Sequence, residues 1–411
     1  MRWGRGRPGN MGKNSIYKIL MYSHDTYGLG HIRRTMAIAS HLRSPQVNIL
    51  ILTGSPIVGR FAFPEYIDFV RIPGMIKKTN EEYQPLSIKI NPRHAMAIRK
   101  NIITATAKTF QPHLFIVDKE PLGLKKEVLP TLQWLRRCMP HTRTILGLRD
   151  IMDEAASVRK DWTRKGVYDL LENLYSEIWV YGLREFYDPI SEYGLSESVS
   201  RKMHFTGYIP RRVPAREAVC SIRKKHGIRP GEKLVVVTTG GGGDGYRVLD
   251  TYLAMLEGLL PGQADFKSVL ITGPFLPKAQ KEEIFQRARR LGVRCWQFYR
   301  RMEEIIAGAD LVVCMGGYNT ACEILSQGTV SLIIPRETPR REQLIRAEVL
   351  ERQQLVDFIP WYDCTPAKLG AKVATLLAHP EPYLAAMARF QLTAFDSMRQ
   401  RLETFRTTPH A

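Results

Sequence analysis

The strongest constraint on the fold is an alternation that runs through the chain twice. Short apolar runs stand at YKILMYS (17–23), VNILILT (47–53), HLFIVD (113–118), RTILGL (143–148) and EIWVYG (177–182), with amphipathic stretches at 31–42, 92–110 and 124–137 among them. Strands buried on both faces lose the polar alternation of a one-sided sheet, so this pattern predicts a parallel sheet with helices on both faces. Proline, glycine and arginine then gather in GYIPRRVPAR (207–216), where two prolines restrict the chain and few apolar contacts are possible. The alternation restarts with KLVVVTTG (233–240), FKSVLITG (266–273), VRCWQF (293–298), ADLVVCMGG (309–317) and TVSLIIP (329–335). A length of 411 residues also exceeds the ~250–300 at which single cores stop growing.

The expected architecture is therefore α/β, two facing domains with a cleft where the strands end. The expected boundaries are a disordered basic tail over 1–16, an N-terminal domain over 17–208, a linker over 209–216 and a second domain over 217–380. A C-terminal helix and tail complete the chain over 381–411. From 368 to about 405 the sequence reads as helix, expected to return toward the first domain. Residues 74–92 show no clear period and are expected to form a mobile substrate loop.

Sixty Lys and Arg against forty Asp and Glu leave a net charge of +20, a surface that attracts anionic partners of several kinds. The basic residues are spread over both halves, with no zinc finger and no basic-aromatic stripe, which argues against a dedicated nucleic-acid reader. The six cysteines include no CxxC pair, and several lie in apolar runs, so free thiols in a reducing compartment are expected.

Three glycine-rich turns follow apolar strands. In YGLGHIRR, Gly28 and Gly30 precede His31, Arg33 and Arg34 at a strand-to-helix junction. Glycine permits a tight turn, and a helix start presents unpaired N–H groups that suit an anion. In TTGGGGDGYR, Gly241, Gly242 and Gly243 allow close backbone approach to a ligand, without a Walker A sequence or a GxGxxG fingerprint. In CMGGYNTACEILSQG, Gly316 and Gly317 end a strand, and Asn319 and Thr320 open a helix able to hold phosphate oxygens. Glu323 follows on the first turns, either favouring the helix dipole or accepting sugar hydroxyls. A polar loop bearing Arg336, Arg340, Arg341 and Gln343 comes after the next strand. His24 and His31 are candidate bases, since histidine titrates near 6.5. Asp118, Glu120, Arg149 and Asp150 fall at strand ends facing the expected cleft, and no metal-ligand spacing is present.

These motifs resemble those of the MurG-like glycosyltransferases, which pair a family 28-type acceptor domain with a nucleotide-sugar domain; the likeness extends from Tyr17 onward and is strongest over 234–350. YGLGHIRR resembles the family's first glycine loop, in a less glycine-rich form, with Gly28, Gly30, Arg33 and Arg149 as acceptor or phosphate-binding candidates. Gly241, Gly242 and Gly243 resemble its second. The resemblance implies that Gly316, Gly317, Asn319 and Thr320 face the donor diphosphate, Glu323 holds the ribose and Gln343 contacts the donor sugar. Phe298 and Met302 would enclose the base. It also implies the GT-B fold, inversion at the sugar carbon, UDP as the nucleotide, and no metal or other cofactor. His31 or His24 would deprotonate the acceptor hydroxyl, with Asp150 as orienter or substitute. The implied partners are a nucleotide-sugar donor and a hydroxyl acceptor of open identity, a lipid-linked one among the candidates. A cytoplasmic protein is expected, peripheral on the inner membrane face through its basic charge. Two other readings stay open: a nucleotide-sugar epimerase or hydrolase of the same fold, and a non-catalytic basic protein binding nucleic acid or envelope polymer.

Overall fold

The computed structural model describes residues 16–24, 30–60, 62–77, 83–259 and 265–407. The tail expected over 1–16, apart from its last residue, and Gly28 lie outside them. The first half supplies strands β1 (Tyr17–Ser23), β2 (Val47–Thr53), β3 (Ile67–Arg71), β4 (Met75–Lys77), β5 (Tyr83–Pro85), β6 (Leu114–Asp118), β7 (Arg143–Arg149), β8 (Glu177–Tyr181) and β9 (Met203–Phe205). The second supplies β10 (Lys233–Thr238), β11 (Phe266–Ile271), β12 (Arg294–Trp296), β13 (Leu311–Cys314), β14 (Ser331–Ile333) and β15 (Asp357–Phe358).

Seven of these form one parallel sheet in the order β3-β2-β1-β6-β7-β8-β9, and six form another in the order β12-β11-β10-β13-β14-β15. Their central strands carry the core: one buried cluster lies in each half, and a third runs from β1 and β2 through Tyr208, Ile209 and Tyr318 to β10 and β13. Ile19, Leu20, Met21 and Tyr22 on β1, and Leu234 to Val237 on β10, are all buried, with side chains alternating between the helix layers. Each sheet reverses its strand order once, between β1 and β6 and between β10 and β13. In open α/β sheets, ligands bind outside the strand C-termini at such switch points. The register brings Tyr22 beside Val117, so the chain leaving β1 toward His24 runs next to Asp118 at the end of β6.

Residues 74–92 resolve differently from the expected loop. Met75–Lys77 and Tyr83–Pro85 pair as an antiparallel hairpin, Met75 opposite Pro85, while 78–82 fall outside the described residues. The C-terminal stretch is broken into helices Pro366–Ala378, Glu381–Arg389 and Ala394–Thr407. Pro380 precedes the second of these, and residues 390–393 leave helical geometry before the third. The last helix returns to the first half, as expected. Ala394, Met398, Leu402 and Phe405 are buried, Phe395 stacks on His41 of helix Gly30–Leu42, and Arg401 pairs with Glu177 on β8. All six cysteines are free thiols.

Candidate functional site

A cavity of about 300 Å³ lies where the C-terminal strand ends of the two sheets face one another. Helix Gly30–Leu42 enters it from the first half and helix Tyr318–Gln327 from the second. Their approach is close: a Cβ on Gly30 would sit 2.3 Å from Asn319 Nδ2, so glycine is what lets the two helix starts meet. Asn319 is held from its other side by Arg211, which donates Nη2–H to Oδ1 at 2.6 Å.

On the first-half wall, His31 Nδ1 lies 2.5 Å from Asp118 Oδ2. Two ionised or lone-pair acceptors would repel at that distance, so Nδ1 carries the proton and donates it, leaving Nε2 as the proton-accepting atom. Asp118 is itself gripped by Arg34, whose Nη2 reaches Oδ1 at 2.7 Å and Oδ2 at 2.8 Å. Despite burial, the neighbouring Arg34 and His31 hold the Asp118 carboxyl well below the usual carboxylate range. Burial pushes His31 down to about 4, against the pull of Asp118, so the imidazole is neutral at pH 7. Arg149 lines the same wall. Its Nε is buried without a hydrogen bond, and burial lowers it to about 10, which leaves it charged.

The opposite wall is built on helix Tyr318–Gln327. Gly317 is its N-cap and no side chain caps it, so its first-turn N–H groups and positive dipole end face the cavity with Thr320 beside them. One turn further, Glu323 is buried and lies 2.9 Å from Arg33 Nη1, in an ion pair whose angle falls outside hydrogen-bond geometry. Arg33 also donates to Glu303 at 2.8 Å. Burial raises the Glu323 pKa above its ordinary value, with Arg33 and Arg211 opposing the shift. Gly241, Phe298, Met302 and Gln343 complete the predicted residues on this wall.

Several predicted residues stand elsewhere. Asp150 neither touches nor orients His31. Arg346 grips its carboxylate at 2.7 Å through both Nε and Nη2, and Tyr208 donates to it at 3.1 Å. That pair is fully buried and joins the two halves. Asp118 occupies the orienting position instead. Sequence reasoning placed it only at a strand end; its adjacency to the β1 loop depends on which strands neighbour each other. Gly242 and Gly243 are not on the wall. Gly242, at φ +87°, would bring a Cβ within 2.2 Å of the Thr272 carbonyl, so its role is to let the loop fold against residues 272–273. Gly316, at φ +67°, makes the turn beneath Ile333 and accepts a hydrogen bond from Arg346 at 3.1 Å. His24 lines a neighbouring cavity, its ring centroid 5.6 Å from that of His31. Burial drives it down to about 3. Among the described residues, no group of His, Cys, Asp or Glu is arranged to hold a metal.

Residues 234–402 match the glycosyltransferase family 28 C-terminal domain. Among curated proteins, the chain is 25% identical over 179 residues to the UDP-N-acetylglucosamine–N-acetylmuramyl-(pentapeptide) pyrophosphoryl-undecaprenol N-acetylglucosamine transferase of Thermoanaerobacter sp. (strain X514), covering 41% of this chain and 47% of that one. It is 30% identical over 140 residues to the same-named enzyme of Haemophilus influenzae (strain PittGG), covering 34% and 38%. The chain thus spans about half the length, or less, of these curated relatives. Solved structures match over nearly the whole chain. Acinetobacter baumannii MurG aligns with TM-score 0.60 at 13% identity, covering 95% of this chain and 99% of that one. A UDP-glucosyltransferase from Polygonum tinctorium aligns with TM-score 0.64 at 10% identity, covering 97% and 100%. The fold is GT-B, and the chain carries a glycosyltransferase family 28 C-terminal domain as a distant homologue of the MurG-type transferases.

Proposed function

We propose that this protein transfers a sugar from a nucleoside-diphosphate sugar, UDP being the favoured nucleotide, to a hydroxyl acceptor with inversion at the anomeric carbon. The observation that carries the reading is one cavity with His31–Asp118 on one wall and the uncapped start of helix Tyr318–Gln327 on the other. His31 Nε2 takes the proton of the acceptor hydroxyl, whose oxygen attacks the anomeric carbon. Asp118 fixes the imidazole tautomer and stabilises the imidazolium that forms. The bond to the diphosphate breaks with its electron pair leaving on phosphate oxygen. Charge developing there meets the helix N-terminus, Thr320 and the Arg149 guanidinium, groups already in place before reaction.

In this reading, Glu323 and Gln343 hold hydroxyls of the donor, and Phe298 and Met302 flank the base. Residues 17–208 form the acceptor half and 217–380 the donor half, with 209–216 between them. No helix among the described residues is long and apolar enough to cross a membrane. The +20 charge supports peripheral attachment to an anionic surface on the cytoplasmic side. Incubation with a nucleotide-sugar panel tests the activity. Donor consumption that requires an added acceptor is the expected result, and acceptor-independent hydrolysis or epimerisation would overturn it.

A further inference from the structure

A second cavity, of about 440 Å³, opens beside the first: His24 lines it and His31 lines the first, their ring centroids 5.6 Å apart. Residues 119–126 and helix Ala155–Lys165 form its first-half wall, and residues 336–340 close it from the second half. Trp162, Leu124 and Val167 give it an apolar floor. Among the described residues the rest of the lining is strongly basic: seven Lys and Arg side chains against two carboxylates, Glu120 and Asp161.

Both carboxylates are already matched. Glu120 lies 3.3 Å from Lys119, and Asp161 pairs with Arg164 at 2.9 Å and Lys165 at 2.5 Å. Arg336 is neutralised from outside the cavity by Asp244 and Glu342. Lys125 and Lys126 have no carboxylate within ion-pair distance among the described residues, and Arg340 has only a long contact of 3.9 Å to Asp153. Lys119 is buried, and burial lowers it to about 8, so it keeps most of its charge at pH 7. Lys125 and Lys126 also sit at φ +47° and +64°, a backbone region that side-chain-bearing residues disfavour. Lys125 also lies over the Tyr83 ring of the same cavity at 5.8 Å. Cations without a close carboxylate, gathered in a concave site, raise the local concentration of anions and are stabilised when one binds.

We infer that this cavity receives an anionic oxygen group, phosphoryl or carboxylate, carried by the acceptor, while the acceptor's hydroxyl passes His24 to reach His31. The inference rests on the glycosyl-transfer reading and narrows its acceptor to an acidic hydroxyl compound. The anionic group takes no part in bond making. Its contacts with Lys125, Lys126 and Arg340 anchor the acceptor, and the hydroxyl proton goes to His31 as the new glycosidic bond forms.

The test uses the full chain and a Lys125→Gln/Lys126→Gln variant, which removes two exposed charges and leaves the core untouched. Calorimetric titration with UDP comes first and reports the donor cavity. Inorganic pyrophosphate, inorganic phosphate and glucuronate are then titrated with UDP saturating, so that the donor site is closed to them. The expected result is one further binding event, weakened at least tenfold in the variant, with UDP affinity unchanged. Tighter binding of the phosphates than of glucuronate assigns a phosphoryl group, and the reverse assigns a carboxylate. Absence of the second event, or equal affinity in the variant, overturns the inference. Lysine-dependent anion binding by a chain that takes up no UDP or other nucleoside diphosphate would instead overturn the donor reading and keep the anion cavity.

Discussion

Glu323→Gln separates a ligand-holding carboxylate from a structural one, because the two roles predict opposite changes. The native side chain is buried, and its Oε1 has no aligned hydrogen-bond donor although Arg33 Nη1 stands 2.9 Å away. Its pKa is raised by burial. A carboxyl with a raised folded-state pKa contributes stability that is full below its unfolded value and is lost as pH rises through the folded one. Ionising the group is therefore costlier in the fold than in the unfolded chain, and the neutral isostere removes that cost while giving up the attraction of Arg33. Arg33 retains Glu303 at 2.8 Å in the variant. The two changes oppose each other, so stability should move by no more than about 1 kcal/mol, or about 2–4 °C in Tm. Donor affinity should respond otherwise. Charge-assisted hydrogen bonds are worth about 1.5–3 kcal/mol, so UDP-sugar binding should weaken by about 10- to 150-fold. Titration calorimetry beside a melting curve reads both. Unchanged affinity with a clearly lowered melting temperature would refute the assignment and make Glu323 a helix-positioning residue.

His31→Ala should lower turnover by about 10²–10⁴-fold, the usual contribution of a positioned base, with donor affinity nearly unchanged; parallel losses in kcat and donor binding would remove His31 from proton transfer. His24 and His31 are buried with pKa values pushed down to about 3 and about 4, against about 6.5 unfolded. Their stabilising contribution is full above pH 6.5 and is lost as pH falls toward 4, because the unfolded chain binds protons that the folded one excludes. Urea titrations from pH 7 to 4 should show stability falling by up to about 3 kcal/mol per pH unit where both respond, and His31→Gln should flatten that slope by about half. Arg346→Met strands the buried Asp150 carboxylate and should cost about 3–5 kcal/mol, while Arg346→Met combined with Asp150→Asn should recover most of it; additive losses in a denaturation series would count against the joint.

The strands of both sheet centres were legible because burial on two faces forces a continuous apolar run, as in YKILMYS and KLVVVT. β3 escaped notice because it is an edge strand: IDFVR carries exposed Asp68 and Arg71, and its composition does not distinguish it from a loop. The unit around helix Tyr318–Gln327 was legible locally, since its glycine turn, short polar residues and Glu323 lie within one stretch. What it faces was not. Arg33 and His31 reach the cavity from other elements, with Arg211 and Asp118 holding Asn319 and His31 from behind, and only strand order and the closing of two halves bring them there. Asp150 shows the same limit from the other side. A strand-end acid looks catalytic until its partner is known, and that partner, Arg346, lies in the second half.

The ion pairs that cross between the halves differ in a way that bears on function. Asp150–Arg346 is fully buried, satisfied at both carboxylate oxygens, and supported by Tyr208. Parting it would leave charge without water or partner, so it acts as a fixed joint. Arg33, by contrast, is 29% exposed and divides its guanidinium between Glu303 and Glu323. Water already reaches it, and losing either carboxylate leaves it the other. Exchange on the Arg33 side of this pair is therefore cheaper than at Asp150, while the buried Glu323 carboxylate keeps Arg211 as a second nearby cation. The cheaper pair lies on the cavity wall, and the costlier one holds the walls together. In the proposed reading, a donor hydroxyl displaces Arg33 at Glu323 while the Asp150–Arg346 joint keeps His31 and the start of helix Tyr318–Gln327 opposed.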